Sequence, residues 1–135
     1  MTKTITGSCL CKAIKFRLNA EIINTVNCHC SMCKKITGAA FETIAVLNKI
    51  DLEIFEGRDK LSTYRIRDSA EKKFCGICGT PIYNVHFGHP GRALVQVGAL
   101  DDPASVTPSL NLHTENMLPW VPALDALKSF KQGFK

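Results

Sequence analysis

Seven cysteines fall in three tight groups, Cys9-Leu10-Cys11, Cys28-His29-Cys30-Ser31-Met32-Cys33 and Cys75-Gly76-Ile77-Cys78. Thiolates at such spacings are metal ligands, because a tetrahedral zinc draws each sulfur to about 2.3 Å. Seven sulfurs divide most economically into four and three. Cys9, Cys11, Cys75 and Cys78 would close one Cys₄ site of structural type, whose binding energy is folding energy. Cys28, Cys30 and Cys33 would hold a second zinc with one position left for water or substrate, the mark of a catalytic centre. Two rivals to that open position stay in play: a histidine fourth ligand (His29 or His113), or a trio of reduced thiols with no metal.

Other residues are weighed around these clusters. Lys34 and Lys35 follow the trio directly, and three thiolates give at least one of them an electrostatic reason to be there. His29, between two ligands, should point away from their metal and pack or bond elsewhere. His86 and His89 lie in or beside the Gly88-His89-Pro90-Gly91 turn and read as surface residues. Asp101 and Asp102 precede Pro103, where turn capping is expected. Trp120 after Pro119 reads as core or pocket wall.

The elements that must position these groups are short strands. Ile14, Phe16 and Leu18 alternate with Lys15 and Arg17, a half-buried strand over 13–18. In extended chain, Cys9 and Cys11 just before it would face the same way, about 6.6 Å apart. Ile22, Ile23 and Val26 suggest a second strand delivering Cys28. Ser31 to Thr37 fits a single helical turn stopped by Gly38. Residues 40–47 are apolar on both faces apart from Glu42 and Thr43, which predicts a central strand. Further strands are expected over Leu52–Phe55, Leu61–Ile66, Ile82–Phe87 and Ala93–Val97, with turns at Asn48-Lys49 and Gly57-Arg58-Asp59 and a loop at Leu100–Pro103. Phe74 to Pro81 has the pattern of a zinc knuckle, and Ala123 to Phe130 that of a short helix with Leu124, Leu127 and Phe130 as its stripe. Strands this closely spaced, with no long helix between them, predict an antiparallel all-β domain.

Bulk composition narrows the function classes. A hydrophobic content of 45% and a charged content of 21% are those of a globular domain, and 135 residues suit one domain spanning 1–135. No apolar run approaches the roughly 20 residues of a membrane span. The stretch Met1 to Gly7 lacks the apolar region of a secretory signal, so a cytoplasmic chain without membrane association is expected. The formal net charge is +5, but seven thiolates set against two dications would cancel most of that excess. With aromatics at only 7%, no nucleic-acid footprint is read.

Taken together, Gly7-Ser8-Cys9-Leu10-Cys11, the run Cys28 to Gly38, Phe74 to Pro81, Gly98 to Pro103, His113 and Trp120 resemble the glutathione-dependent formaldehyde-activating enzyme (GFA) family, whose domain is shared with centromere protein V. The resemblance covers nearly the whole chain. It implies a β-tent fold with at most short helices, a structural zinc on Cys9, Cys11, Cys75 and Cys78, and a catalytic zinc on Cys28, Cys30 and Cys33. It further implies glutathione as cosubstrate, joined to formaldehyde as S-hydroxymethylglutathione, a carbon–sulfur lyase reaction in reverse. Lys34 or Lys35 would then anchor a substrate carboxylate, with His113 near the site. From a different class, a non-catalytic zinc module that binds a partner remains the alternative. A zinc-ribbon nucleic-acid binder and a methionine-sulfoxide-reductase-like role rank behind it, the latter because every cysteine is already assigned.

Overall fold

A computed structural model describes residues 4–133. Its first sheet follows from the alternation in 13–18: strand β2 (Lys15–Leu18) lies between β1 (Ile5–Ser8) and β5 (Leu52–Glu56), all antiparallel. Ile14, Phe16 and Leu18 are buried, while Lys15 and Arg17 pair outward with Glu56 and Glu53, each at 3.2 Å. Gly7 stands opposite Phe16. A β-carbon there would come within 2.1 Å of the phenyl ring, so the ring's seat requires glycine.

The second sheet has seven strands in the order β10-β3-β4-β9-β8-β7-β6. These are β3 (Asn24–Cys28), β4 (Glu42–Asn48), β6 (Leu61–Ile66), β7 (Ala70–Cys75), β8 (Pro81–His86), β9 (Arg92–Gln96) and β10 (Leu110–Leu112). The mainly β architecture is the expected one, with one correction: β10 runs parallel to β3, so the sheet is mixed. Neither β10 nor β7 was anticipated. β10 has three exposed residues without alternation, and β7 carries Lys72 and Lys73 where an apolar face would have announced a strand.

The core lies between the two sheets. Ile14, Phe16, Leu18, Leu52 and Ile54 of the small sheet meet Ala45, Leu47, Ala93 and Val95 of the large one. β4 supplies Ala45 and Leu47 to this core, while Glu42, Ile44 and Val46 face a cavity on the far side of the sheet. Its two-faced apolarity, read as the sign of a central strand, thus reflects a core on one side and a cavity wall on the other.

Helix α1 (Ser31–Thr37) is the expected short helix. The Cys30 sulfur accepts from the Cys33 N–H at its start, and Gly38, at φ 67°, ends it in the left-handed conformation. Lys34 and Lys35 occupy its last turn, where cations meet the carbonyl end. Lys72 of β7 donates to the Ile36 carbonyl at 2.6 Å, tying that end to the sheet.

The tail departs from expectation. In place of a helix over 123–130 there is a 3₁₀ stretch, Val121–Ala126, irregular at Ala123. Leu124, Leu127 and Phe130 are all exposed. Trp120 is 49% exposed and lines no part of the cavity, so it is neither core nor pocket wall. The stripe was read from helical period, but with Pro122 at its start the segment winds as 3₁₀.

Candidate active site: two cysteine clusters

The first cluster joins distant parts of the chain. Cys9 follows β1 and Cys75 ends β7, with Cys11 and Cys78 on the turns beyond them. The four sulfurs lie within 4.8 Å of one another. Cys9 and Cys11 Sγ are 3.6 Å apart, and Cys11 and Cys75 Sγ 3.8 Å, close to the roughly 3.8 Å edge of a tetrahedron with 2.3 Å zinc–sulfur arms. The donor set therefore fits zinc. The chain from Cys9 to Lys12 is a turn, not the extended segment expected: Lys12 N–H donates to the Cys9 carbonyl at 3.0 Å, and Lys12 has φ 69°. Two ligands two residues apart converge better on a folded loop than on a pleat, whose sulfurs would stand about 6.6 Å apart.

Backbone N–H groups are aimed at these sulfurs. Ile14 N–H donates to Cys9 Sγ at 3.2 Å, and Ile77 and Cys78 N–H both approach Cys75 Sγ at 3.4 Å. Thr80 links the two turns. Its hydroxyl oxygen accepts from Leu10 N–H at 3.0 Å and lies 3.2 Å from Cys78 Sγ. That hydroxyl, with the Thr80 and Cys11 backbone N–H groups, pulls the Cys78 thiol down to about 5. Against an opposing bond from the Ala13 backbone, desolvation and the neighbouring thiols push Cys11 up to about 11.

Asp101 also steadies this end. Its carboxylate accepts from Thr6 and Ser8 hydroxyls, each at 2.7 Å, and its N–H donates to the Thr6 carbonyl at 2.9 Å. The Ser8 and Thr6 bonds hold its carboxyl below the usual range. Asp101 staples β1 from across the chain instead of capping its own turn. Asp102, at the head of Pro103–Ser105, makes no side-chain cap.

The second cluster is local. Cys28 ends β3, Cys30 caps α1 and Cys33 lies in its first turn; their sulfurs also lie within 4.8 Å of one another. Cys30 and Cys33 Sγ are 2.8 Å apart, so this pair opens by about 1 Å to span a zinc tetrahedron. Three converging thiols suit a soft, sulfur-binding ion. Burial pushes the Cys28 and Cys33 thiols up, and for Cys33 the adjoining thiols and the Glu42 carboxylate add to it. A bound cation would hold them as thiolates.

All three line a cavity of about 480 Å³, within the usual range for small-molecule sites. None of Cys9, Cys11, Cys75 and Cys78 lines it. Glu42, only 3% exposed, is the one acid on its wall among the described residues. Opposite Cys28 in the ladder, its Oε2 accepts from Asn84 Nδ2 at 2.9 Å and from Gln96 Nε2. The sequence marked Glu42 only as a break in an apolar strand; a lone acid in such a strand was the available signal for a held carboxylate. His86, His89 and Arg92 also line the cavity; His89 is exposed, as its turn suggested, but the approach of this group to the cavity was not read. Their approach depends on β8 and β9 pairing, which no local pattern reveals.

Of the remaining expected residues, His113 lines the cavity from the end of β10, in the left-handed conformation at φ 56°. Lys34 Nζ donates to the Asn116 carbonyl at 2.6 Å, and neither Lys34 nor Lys35 lines the cavity. His29 is 1% exposed, packs against Phe41 with ring centroids 5.1 Å apart, and has Nε2 3.4 Å from Asn111 Oδ1. It does not line the cavity.

A mainly β protein with one Cys₄ and one Cys₃ cluster, the latter opening into a cavity, is thereby defined. The model of the glutathione-dependent formaldehyde-activating enzyme family matches residues 4–116, and the chain belongs to that family. A Halomonas elongata protein provisionally named a glutathione-dependent formaldehyde-activating enzyme is 26% identical over 122 residues, 85% of this chain and 78% of its own. An Aspergillus flavus protein with the same provisional name is 27% identical over 89 residues, 64% of this chain and 47% of its own. A Rhodobacter sphaeroides protein of solved structure superposes with a TM-score of 0.63 at 25% identity, covering 78% of this chain and 98% of the other. Among the described residues no helix is long and apolar enough to cross a membrane.

Proposed function

We propose that the chain is a zinc-dependent enzyme of carbon–sulfur lyase type, joining or releasing a thiol, glutathione, and a small electrophile such as formaldehyde. One observation carries this reading: three convergent thiols form part of the wall of a cavity large enough for substrate. In this reading Cys9, Cys11, Cys75 and Cys78 hold a structural zinc, and Cys28, Cys30 and Cys33 hold a catalytic one. Zinc on the three-cysteine cluster would supply a position that favours the thiolate form of the cosubstrate and polarises a carbonyl.

The chain's residues do the rest. In the forward direction a sulfur–carbon bond forms as the carbonyl π bond opens, and the thiol proton ends on the oxygen. Glu42, its Oε2 fixed by Asn84 and Gln96, presents a carboxylate beside Cys28 that can accept that proton and return it. Ile44, Met32 and Leu112 give the wall beside the thiols an apolar surface. His113 contacts the cosubstrate from the rim, and the Lys34–Lys35 pair attracts its carboxylates from outside the cavity.

The test is the rate of S-hydroxymethylglutathione formation from glutathione and formaldehyde, with zinc-loaded protein and with Cys30→Ser. Acceleration that disappears in the variant is the expected result. No acceleration with two zinc ions per chain would overturn the formaldehyde assignment and move the search to other thiol adducts or to a binding partner.

A further inference from the structure

We propose that the cavity takes a substrate with an apolar chain ending in an anionic group, so that the electrophile is a long-chain aldehyde acid and formaldehyde only its smallest analogue. This rests on the reading above for its reacting end. The register lays the cavity out as a trough. Cys28 stands opposite Glu42 and Leu112, Val26 opposite Ile44 and Leu110, Val46 opposite Leu94, and Asn48 opposite Arg92. From Glu42 to Val46 the floor runs about 13 Å at roughly 3.3 Å per residue, the length of a medium alkyl chain. Between the thiols and the far end, Val26, Ile44, Val46, Leu94 and Leu110 make its walls mainly aliphatic.

Formaldehyde would fill little of such a space, since 480 Å³ is on the order of fifteen times a water's share of liquid volume. Glutathione is a poor tenant for the trough itself. The far-end guanidinium would partner one of its carboxylates, but the other, with most of the polar peptide, would lie against the apolar stretch between, which costs binding energy. Its thiol is better placed at the metal end, with its peptide outside.

The far end has the opposite character. Arg92, His86 and His89 gather there, with the imidazole centroids 5.5 Å apart. Arg92 gives one N–H to Asn48 Oδ1 and, among the described residues, joins no ion pair. His86 Nδ1 accepts from Gly88 N–H, which leaves Nε2 for a ligand. A guanidinium closing an aliphatic trough is a carboxylate seat. The step balances as before: the glutathione sulfur bonds to the aldehyde carbon, the π bond opens, and the thiol proton moves to oxygen.

The test has two arms. Calorimetric titration with decanoate, which cannot react, should show binding at least about tenfold tighter than acetate. Arg92→Leu and, separately, Leu94→Asp should each weaken it by about tenfold or more, with unfolding midpoints recorded to confirm that both variants fold. In the second arm, glutathione is offered with formaldehyde, hexanal and 10-oxodecanoate, and kcat/KM should rise along that series. Decanoate binding no better than acetate, or decanoate binding untouched in a folded Arg92→Leu, would overturn the proposal. Turnover of formaldehyde with no gain from chain length would overturn it while leaving the enzyme reading intact. Decanoate binding as expected, with no turnover of any aldehyde, would uphold the ligand class and sink the enzyme reading instead.

Discussion

The two cysteine clusters share chemistry and differ in everything around it. The four-cysteine cluster binds together chain segments more than sixty residues apart, lies off the cavity, and receives backbone N–H groups and the Thr80 hydroxyl. The three-cysteine cluster spans six residues, needs only a strand end and one helical turn, and opens onto an aliphatic trough with a held carboxylate. The contrast teaches that ligand count alone does not assign a role. In the proposed reading the cluster that ties distant segments is the structural one, and the local one is free to serve catalysis.

The sharpest way to break this contrast is to remove one ligand from each. Cys75→Ser should fail to fold cooperatively and lose both ions, since structural zinc in small domains contributes on the order of 10–16 kcal/mol in apparent terms. Cys30→Ser should retain its circular dichroism and about one zinc per chain by atomic emission. If Cys30→Ser unfolds as readily as Cys75→Ser, the distinction is wrong.

A second comparison sets the two faces of β4 against each other. Leu47→Ala, on the core face, should cost about 2–5 kcal/mol in denaturant unfolding. Ile44→Ala, facing the trough, should cost less, because the cavity has already removed part of its packing, yet it should disturb substrate KM more. Glu42→Ala leaves the Asn84 and Gln96 amides without their acceptor. That should cost about 1–3 kcal/mol, together with a fall in kcat.

The smallest effect belongs to the staple at the four-cysteine end. Because Ser8 and Thr6 hold the Asp101 carboxyl below its usual range, the folded state favours the ionised form. Its contribution is therefore complete at neutral pH and lost as pH falls through the folded value. The melting temperature of wild type should exceed that of Asp101→Asn at pH 7, and the gap should narrow below about pH 4.

How far the sequence spoke depends on range. The Ile14–Phe16–Leu18 alternation and the Gly38 stop are local signals, read correctly from neighbours a few residues away, as was the convergence of Cys28, Cys30 and Cys33, whereas the Cys9–Cys11 segment was read as extended and is a turn. The position of His86 and Arg92 beside the trough was hidden, because it depends on β8–β9 pairing and on which side of β4 is core. Asp101 misled for the same reason: its nearest sequence context is a proline turn, while its partners Thr6 and Ser8 lie over ninety residues earlier. Trp120 and the leucines after it misled in the other direction, since apolar character was taken for burial.

The parallel edge strand β10 sets an order of events. Asn111 meets Asn27 across a separation of 84 residues, and Leu112 seals the ladder beside Cys28. During synthesis the three thiols emerge early, but the strip that walls them and carries His113 arrives only after the rest of the large sheet has been made. Closing so long a loop is entropically slow. The trio should therefore be open to solvent and to metal exchange through most of the chain's assembly, becoming a chamber at the end.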